Sequence, residues 1–202
     1  VGGIDVTVEG QRRSLAAGFL GSLTMRALER FCQSADTEPA KHHFPYLDGI
    51  DMPTADGQRT YSNNDAVRVY LLPALHRAWA DWNDPDGNLG YKHAGYLKTF
   101  ERSEPRIDAD VVLVDEAQDV APVLLSILLQ QTDAKLILVG DAQQELYAWA
   151  GAQDAMAKIP ADQTAWLTRS FRFGDAIAEQ ANEVLAMIPG AEMRLRGTSS
   201  IA

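Results

Sequence analysis

Disulfide bonds and membrane-spanning segments are both missing from this sequence. Its 202 residues include one cysteine, Cys32, which has no partner within the chain and is typical of a protein kept in a reducing compartment. Apolar stretches such as residues 121–129 are far shorter than the roughly 20 residues that cross a bilayer, and no secretory signal is visible. We therefore expect a cytoplasmic protein without a membrane partner.

Positive charge is also scarce. Lysine and arginine together number 18 against 28 aspartate and glutamate residues, so the formal net charge is −10. This balance argues against a surface that attracts phosphate everywhere, although it leaves room for a local basic groove. Hydrophobic residues make up 46% and charged residues 23% of the chain, an ordinary globular composition that predicts one sizeable core or two smaller ones.

Several catalytic and metal-binding motifs are absent. With one cysteine and no G-x-S-x-G, the sequence gives no support for thiol or serine hydrolase chemistry. His42 and His43 are adjacent, but His76 and His93 lie far away and no cysteines accompany them, so we do not predict a zinc site. No G-x-x-x-x-G-K-[ST] occurs either, which excludes a phosphate-cradling P-loop within these residues.

The hydrophobic pattern changes character near residue 107. Helical spacing dominates before it, and short apolar strands alternate with helices after it. The predicted elements are helices over 22–36 and 65–82, an irregular loop over 38–64, strands over 111–114 and 135–140, and helices over 121–131 and 175–188. The alternation predicts an α/β fold whose parallel sheet is covered on both faces.

Acidic residues stand where both predicted strands end. Asp115 and Glu116 follow the first strand, and Asp141 follows the second. Because parallel strands end at one edge of a sheet, we expect these carboxylates to share a rim. The alternative is that Asp119 and Asp141 cap helices and that the other acids are solvated turn residues.

Three segments around these acids carry a family resemblance: DEAQD (115–119), VGDAQQELYAWAGA (139–152) and LTRSFRFG (167–174). In order and spacing they resemble motifs II, III and IV of superfamily 1 DNA helicases of the UvrD/Rep type. Within that group, SLTMRALERFCQSAD (22–36) and HAGYLKTF (93–100) look most like the F-box DNA helicases. The resemblance implies a RecA-like motor fold with an inserted helical subdomain.

The resemblance assigns the nucleotide chemistry. Asp115 matches the residue that holds the Mg²⁺ of ATP, and Glu116 matches the base that positions and deprotonates the attacking water. A divalent cation prefers a hard carboxylate, whereas the water needs a separate proton acceptor. Gln144 matches the sensor of the γ-phosphate, where an amide can both donate and accept.

The resemblance also assigns DNA contacts and the adenine site. Tyr147 and Trp149 match the aromatic segment on which single-stranded DNA stacks, but Ala150 replaces the arginine that usually follows. Phe171 matches the aromatic that stacks on adenine, and Arg172 matches the arginine that reaches the γ-phosphate. Alternatives are a core role for Trp149 and an exposed basic turn for the RSFRF segment.

Basic and aromatic residues also mix in the segment 91–100. His93 is open to two interpretations, a DNA contact or a packing or capping role. We expect Lys92, Lys98 and Arg102 to be solvated charges.

Four segments follow from the resemblance: residues 1–36 belong to the first RecA-like domain, 37–106 form the inserted subdomain, 107–165 return to the first domain, and 166–202 begin the second. We therefore expect an internal fragment of an ATP-dependent DNA helicase, with ATP and Mg²⁺ as cofactors and single-stranded DNA as partner, associated with the nucleoid if bacterial. Without a P-loop, the fragment alone should not hydrolyse ATP. The alternative is a noncatalytic module, derived from a helicase, that only binds DNA or a protein.

Overall fold

The protein is described by a computed structural model that covers residues 1–51, 53, 56–58, 60–141, 144, 154–188 and 193–198. The chain divides into two compact units, Val1–Ile159 and Pro160–Ala202. Each unit is described by itself below. No helix within the described ranges is long and apolar enough to span a membrane.

The chain combines helices with short strands, so the α/β class is confirmed. The described elements are β1 (Ile4–Val8), β2 (Gln11–Leu15), α1 (Ala17–Gln33), a 3-10 turn (Lys41–His43), α2 (Ser62–Trp82), α3 (His93–Arg102), β3 (Val111–Val114), a second 3-10 turn (Ala117–Asp119), α4 (Pro122–Leu129), β4 (Lys135–Leu138), α5 (Ala155–Lys158) and α6 (Asp175–Leu185).

The first unit starts with an antiparallel hairpin that the sequence pattern did not predict. Strands β1 and β2 pair from Ile4 opposite Leu15 to Val8 opposite Gln11. The turn places Glu9 and Gly10 at positive φ, which glycine adopts at little cost. Val6 and Val8 alternate with polar residues and point into the core. The hairpin was not predicted because the alternation of apolar and polar residues covers too few positions to distinguish a strand from a loop.

The first core lies between the hairpin, α1 and α2. Helix α1 buries one face that includes Leu20, Leu28 and Phe31. The Phe31 ring meets the Trp79 ring of α2 edge-on, with centroids 5.2 Å apart. The predicted helix over 22–36 exists, but it begins earlier and ends at Gln33, where the Ser34 hydroxyl donates to the Phe31 carbonyl at 2.8 Å.

Helix α2 begins against a carboxylate from the preceding loop. Asp51 is buried, and its oxygens accept the backbone N–H groups of Asn63 at 2.6 Å and Asn64 at 3.1 Å. These N–H groups belong to the first turn of α2, where the helix itself supplies no acceptors. The helix then continues through Pro73 to Trp82.

Helix α3 contains a buried charge. Lys98 is fully buried and its Nζ lies 3.0 Å from a carboxylate oxygen of Glu101, whose other oxygen accepts a hydrogen bond from Ser126 at 2.9 Å. The Lys98 Nζ also donates to the Ser34 carbonyl at 3.3 Å. The expectation of a solvated Lys98 was wrong, because this position faces α1 and the burial is compensated by a paired carboxylate.

Strands β3 and β4 form the parallel pair that the sequence predicted, with Val111 opposite Lys135 and Val114 opposite Leu138. Residues Val112 and Val114 pack on a second core that includes Leu125 and Leu128 of α4. Leu113 points the other way and is 72% exposed. The expected cover on both faces is therefore wrong for the described residues, because successive side chains alternate and only one face of this two-stranded sheet is packed.

The second unit is small. Residues 168–170 and 196 run alongside each other, with the Arg196 N–H donating to the Thr168 carbonyl at 2.7 Å and the Ser170 N–H donating to the Arg196 carbonyl at 2.8 Å. Helix α6 is tied to Leu195 by two hydrogen bonds: Asn182 Nδ2 donates to the Leu195 carbonyl at 2.9 Å, and Asn182 Oδ1 accepts the Leu195 N–H at 2.7 Å.

Candidate functional site

The ends of β3 and β4 are joined by backbone hydrogen bonds that shape a shared rim. The Val139 N–H donates to the Val114 carbonyl at 2.8 Å, and the Ala117 N–H donates to the Val139 carbonyl at 2.9 Å. The chain that leaves β3 therefore folds over the end of β4. This confirms that both strands deliver their following residues to one rim.

The two adjacent carboxylates remain exposed because of an unusual backbone conformation. Glu116 has φ 52° and ψ 43°, in the left-handed region, and its N–H donates to Asp115 Oδ1 at 3.0 Å. A non-glycine residue in this region costs roughly 1 kcal/mol or more. The reversal tucks Ala117 and Gln118 into the protein, while Asp115 and Glu116 stay in solvent.

Gln118 connects the two strand ends. Its side chain is buried, its Nε2 donates to Glu116 Oε2 at 2.7 Å, and its Oε1 accepts the Asp141 N–H at 3.1 Å. This arrangement fixes the orientation of the amide, since only nitrogen can donate to a carboxylate. The buried Gln118 side chain thus links Glu116, which follows β3, to the backbone of Asp141, which follows β4.

Gly140 leaves the space that Gln118 needs. A Cβ atom at position 140 would lie 2.4 Å from Gln118 Oε1 and 3.0 Å from the Ala117 nitrogen. No side chain is tolerated at such a distance without displacement of its neighbours. The glycine is therefore a packing requirement of the site.

Gln144 completes a line of hydrogen bonds along the rim. Its Nε2 donates to Asp141 Oδ2 at 2.7 Å, and its N–H donates to the Asp141 carbonyl at 2.8 Å. Glu116, Gln118, Asp141 and Gln144 are therefore connected in sequence, with Asp115 beside Glu116. The structure brings together three of the predicted site residues: Asp115, Glu116 and Gln144.

The donor atoms of this rim suit a hydrated divalent cation. The exposed carboxylate of Asp115, with Asp141 after the neighbouring strand, offers the hard oxygens that Mg²⁺ prefers while it keeps several waters and contacts phosphates. The hydroxyl and lysine of a P-loop are absent from this sequence. The rim therefore fits part of a Mg²⁺–phosphate site.

Phe171 and Arg172 belong to the second unit. Both are exposed, and Phe171 is 74% accessible. The Ser170 hydroxyl accepts the Arg172 N–H at 3.2 Å, and Ser170 itself is bonded to Arg196 and Thr198. The loop is thus anchored at its base while both predicted nucleotide contacts remain at the surface.

The remaining predicted DNA contacts, Tyr147 and Trp149, lie outside the described residues, as does Ala150. Sequence reasoning missed Gln118 and Gly140 as parts of the site. The available signal was an amide directly after apolar Ala117 and two residues before apolar Val120 inside the acidic motif, because a polar side chain that becomes buried requires partners.

Comparison with known proteins identifies the relatives of this chain. Residues 93–159 match the UvrD/REP helicase N-terminal domain. F-box DNA helicase 1 of Gallus gallus is 32% identical over 175 residues, which cover 84% of this chain and 17% of the relative. F-box DNA helicase protein 1 of Schizosaccharomyces pombe is 34% identical over 196 residues, which cover 92% of this chain and 20% of the relative. The chain thus spans about a fifth of these curated relatives or less, and the predicted resemblance is confirmed.

Proposed function

This chain is a relative of the UvrD/REP helicases, and we propose that it supplies part of the ATP-driven motor of a DNA helicase. The observation that carries the proposal is the rim where Gln118 joins Glu116 to the backbone of Asp141. Such a rim, at the carboxyl ends of parallel strands, is the usual position of ligand sites in α/β sheets. The motor would act on single-stranded DNA in the compartment that holds the DNA, which is the cytoplasm in a bacterium.

In this proposal Asp115 and Glu116 divide the work of hydrolysis. Asp115 would hold Mg²⁺, which when bound neutralises charge on the phosphates of ATP. Glu116 would accept the proton of the attacking water. Two features support the separation: both carboxylates are exposed, and Glu116 is restrained by the Gln118 amide.

Gln144, Phe171 and Arg172 would contact the nucleotide. The Gln144 amide lies next to Asp141 at the same rim, which supports a role as sensor of the γ-phosphate. Phe171 would stack on adenine. The permanently charged fork of Arg172 would bind the γ-phosphate. Their exposure on an anchored loop supports both roles.

Tyr147 and Trp149 would form the stacking platform for single-stranded DNA. Stacking of bases on aromatic side chains needs no particular base sequence.

We further propose a division of the chain into domains. Residues 1–36 and 107–165 would belong to the first RecA-like domain, 37–106 to the inserted subdomain, and 166–202 to the start of the second domain.

A second candidate function is favoured by one sequence observation, the absence of G-x-x-x-x-G-K-[ST]. A helicase-derived module without that loop would bind DNA or a partner protein and would not hydrolyse ATP. The two functions differ in whether the whole protein hydrolyses ATP.

DNA-stimulated phosphate release by the whole protein tests the proposal. We expect turnover that requires Mg²⁺ and single-stranded DNA, and a loss of about 10² to 10⁴-fold in Glu116→Gln, because the neutral isostere keeps the shape but not the base. Asp110→Asn is the matched control, since Asp110 is exposed directly before β3, at the opposite end of the same strand. A whole protein without turnover would favour the noncatalytic module, whereas equal turnover in Glu116→Gln and wild type would contradict the role of Glu116 as the base.

A further inference from the structure

Three side chains with metal-binding atoms converge outside the proposed ATP site. Asp36 follows α1, and His42 and His43 lie in the 3-10 turn Lys41–His43. The Nε2 atoms of His42 and His43 lie 2.6 Å and 2.9 Å from the same oxygen, Asp36 Oδ2. The ligand atoms of all three residues fall within 4.8 Å of one another.

We propose that Asp36, His42 and His43 form a binding site for a divalent transition-metal ion, with Zn²⁺ as the best match. Two imidazoles and a carboxylate are ligands that Zn²⁺ accepts, and three protein ligands leave one tetrahedral position for water. The set contains no thiolate, which excludes the soft, fully closed sites typical of structural zinc.

The spacing of the three groups is close to what a bound ion requires. Ligand atoms about 2.05 Å from a tetrahedral Zn²⁺ lie roughly 3.3 Å apart, so each nitrogen must move away from Asp36 Oδ2 by somewhat less than about 1 Å. The side chains of His42 and Asp36 are 67% and 44% exposed and have room for this adjustment. The side chain of His43 is only 3% exposed and serves as the fixed ligand.

Contacts to the backbone and to Ser34 hold the His43 ring in place. Its Nδ1 accepts the Ala40 N–H at 2.9 Å and lies 3.1 Å from the Ala40 carbonyl oxygen, while its Nε2 lies 3.3 Å from the Ser34 hydroxyl. Binding of an ion at Nε2 therefore requires the ring proton to move to Nδ1, where the Ala40 carbonyl is an acceptor within reach. The Phe31 ring packs edge-on against the imidazole, with centroids 5.3 Å apart. Asp36 is positioned as well, because its N–H donates to the Ser34 hydroxyl at 3.2 Å.

A hydrogen-bonded cluster without metal is the competing interpretation. In that case one carboxylate would serve two imidazoles whose centroids are 4.1 Å apart, and both could not carry positive charge without repulsion. A metal ion places a positive charge where all three groups converge and uses both imidazoles in the neutral form. The inference does not rest on the proposed helicase function, since none of its residues takes part in the ATP chemistry.

Calorimetric titration of the chelator-treated 202-residue chain with ZnCl₂ tests the proposal. We expect saturable binding of one Zn²⁺ per chain, and with Co²⁺ as probe a visible ligand-field absorption that Zn²⁺ removes. His42→Ala and Asp36→Asn should each weaken Zn²⁺ binding by at least about tenfold, since even outer-shell changes around a metal have effects of that size. Both residues are at the surface, so these variants should keep the fold, as circular dichroism will show.

His76→Ala is the matched control, because His76 is an exposed histidine on α2 outside the cluster. It should bind Zn²⁺ as the wild type does. The proposal is overturned if the wild type shows no saturable one-to-one binding, or if His42→Ala and Asp36→Asn retain wild-type affinity, or if His76→Ala lowers the affinity as much as they do.

Discussion

Gln118 satisfies two groups at once, the exposed carboxylate of Glu116 and the N–H of Asp141. Replacing it with methionine keeps the volume but removes both hydrogen bonds. In the whole protein we expect Gln118→Met to lower kcat of the DNA-stimulated ATPase by about tenfold or more with little change in KM. The reason is that Glu116 would keep its carboxylate but lose the hydrogen bond that positions it. Steady-state kinetics measure this split.

The same substitution should cost about 1 to 3 kcal/mol of unfolding free energy, since the Asp141 N–H loses the Gln118 oxygen as its acceptor. Gln33→Met is the control, because Gln33 is exposed at the end of α1. Unchanged kcat in Gln118→Met, beside unchanged kcat in the control, would show that Gln118 is a structural residue without influence on Glu116.

Gly140 allows a second test of the same contact. A methyl group there would lie 2.4 Å from Gln118 Oε1, so Gly140→Ala should displace the amide and destabilise the protein by about 1 to 3 kcal/mol in urea denaturation. Gly21→Ala is the matched control. Gly21 lies inside α1, and a methyl group at that position would meet nothing within 4 Å, so alanine there should stabilise by roughly 0.5 to 1 kcal/mol. Equal stability changes in the two variants would contradict the packing argument.

Sequence reasoning reached some residues of the site and not others for a physical reason. Asp115 and Glu116 follow an apolar strand directly, so their position at the rim is a local consequence of chain order. Gln118 acquires its role only when β4 is placed beside β3, and Gly140 acquires its role only from Gln118. Contacts that depend on strand pairing cannot be predicted from the periodicity of apolar residues along the chain.

At the scale of elements, helix α2 depends on a carboxylate 11 residues before its first residue. Burial by itself would raise the pKa of Asp51, but hydrogen bonds from the Asn64 side chain and from the backbone N–H groups of Asn63 and Asn64 outweigh it and hold the pKa below its ordinary value. The ionised form is therefore favoured by folding. Its contribution is present above the unfolded pKa of about 3.9 and is lost as pH falls through the lower folded pKa.

We accordingly expect Asp51→Asn to destabilise the protein by about 1 to 3 kcal/mol at pH 7, because bonds to a charged acceptor are replaced by weaker ones. The difference from wild type should shrink as the pH falls below about 4, because the unfolded chain then takes up a proton at this carboxyl more readily than the folded protein does. Urea denaturation at pH 7 and pH 3 measures both values. Asp133→Asn, at an exposed turn residue, should show neither effect; a pH-independent loss in Asp51→Asn would contradict the charge argument.

Helix α3 shows where element-level prediction failed. It was not among the predicted helices, and its Lys98 was assigned to solvent by residue type alone. The i, i+3 spacing of Lys98 and Glu101 allowed a buried pair against α1 and α4. Charge type predicts exposure only when no partner lies one turn away on the same face.

At the scale of the whole molecule, the class and the parallel pairing were predictable, whereas the cover of the sheet was not. Leu113 and Ile137 look like core residues in sequence, yet both are exposed in the described sheet. An apolar run shows that a strand can be covered on both faces, but whether each face is covered depends on other segments and cannot be read from the strand itself.

The last prediction also belongs to the whole molecule. The acidic rim is proposed to hold Mg²⁺, but the sequence has no P-loop, whose backbone N–H groups and lysine supply the main contacts to the β- and γ-phosphates. Carboxylates without those contacts repel ATP rather than bind it. We therefore expect residues 1–202 alone to release no phosphate from ATP above background, with Mg²⁺ and single-stranded DNA present. A cooperative thermal melt of the same preparation will show that the chain is folded. DNA-stimulated turnover by this chain, lost in Glu116→Gln and retained in Asp110→Asn, would mean that the rim binds and hydrolyses ATP without a P-loop.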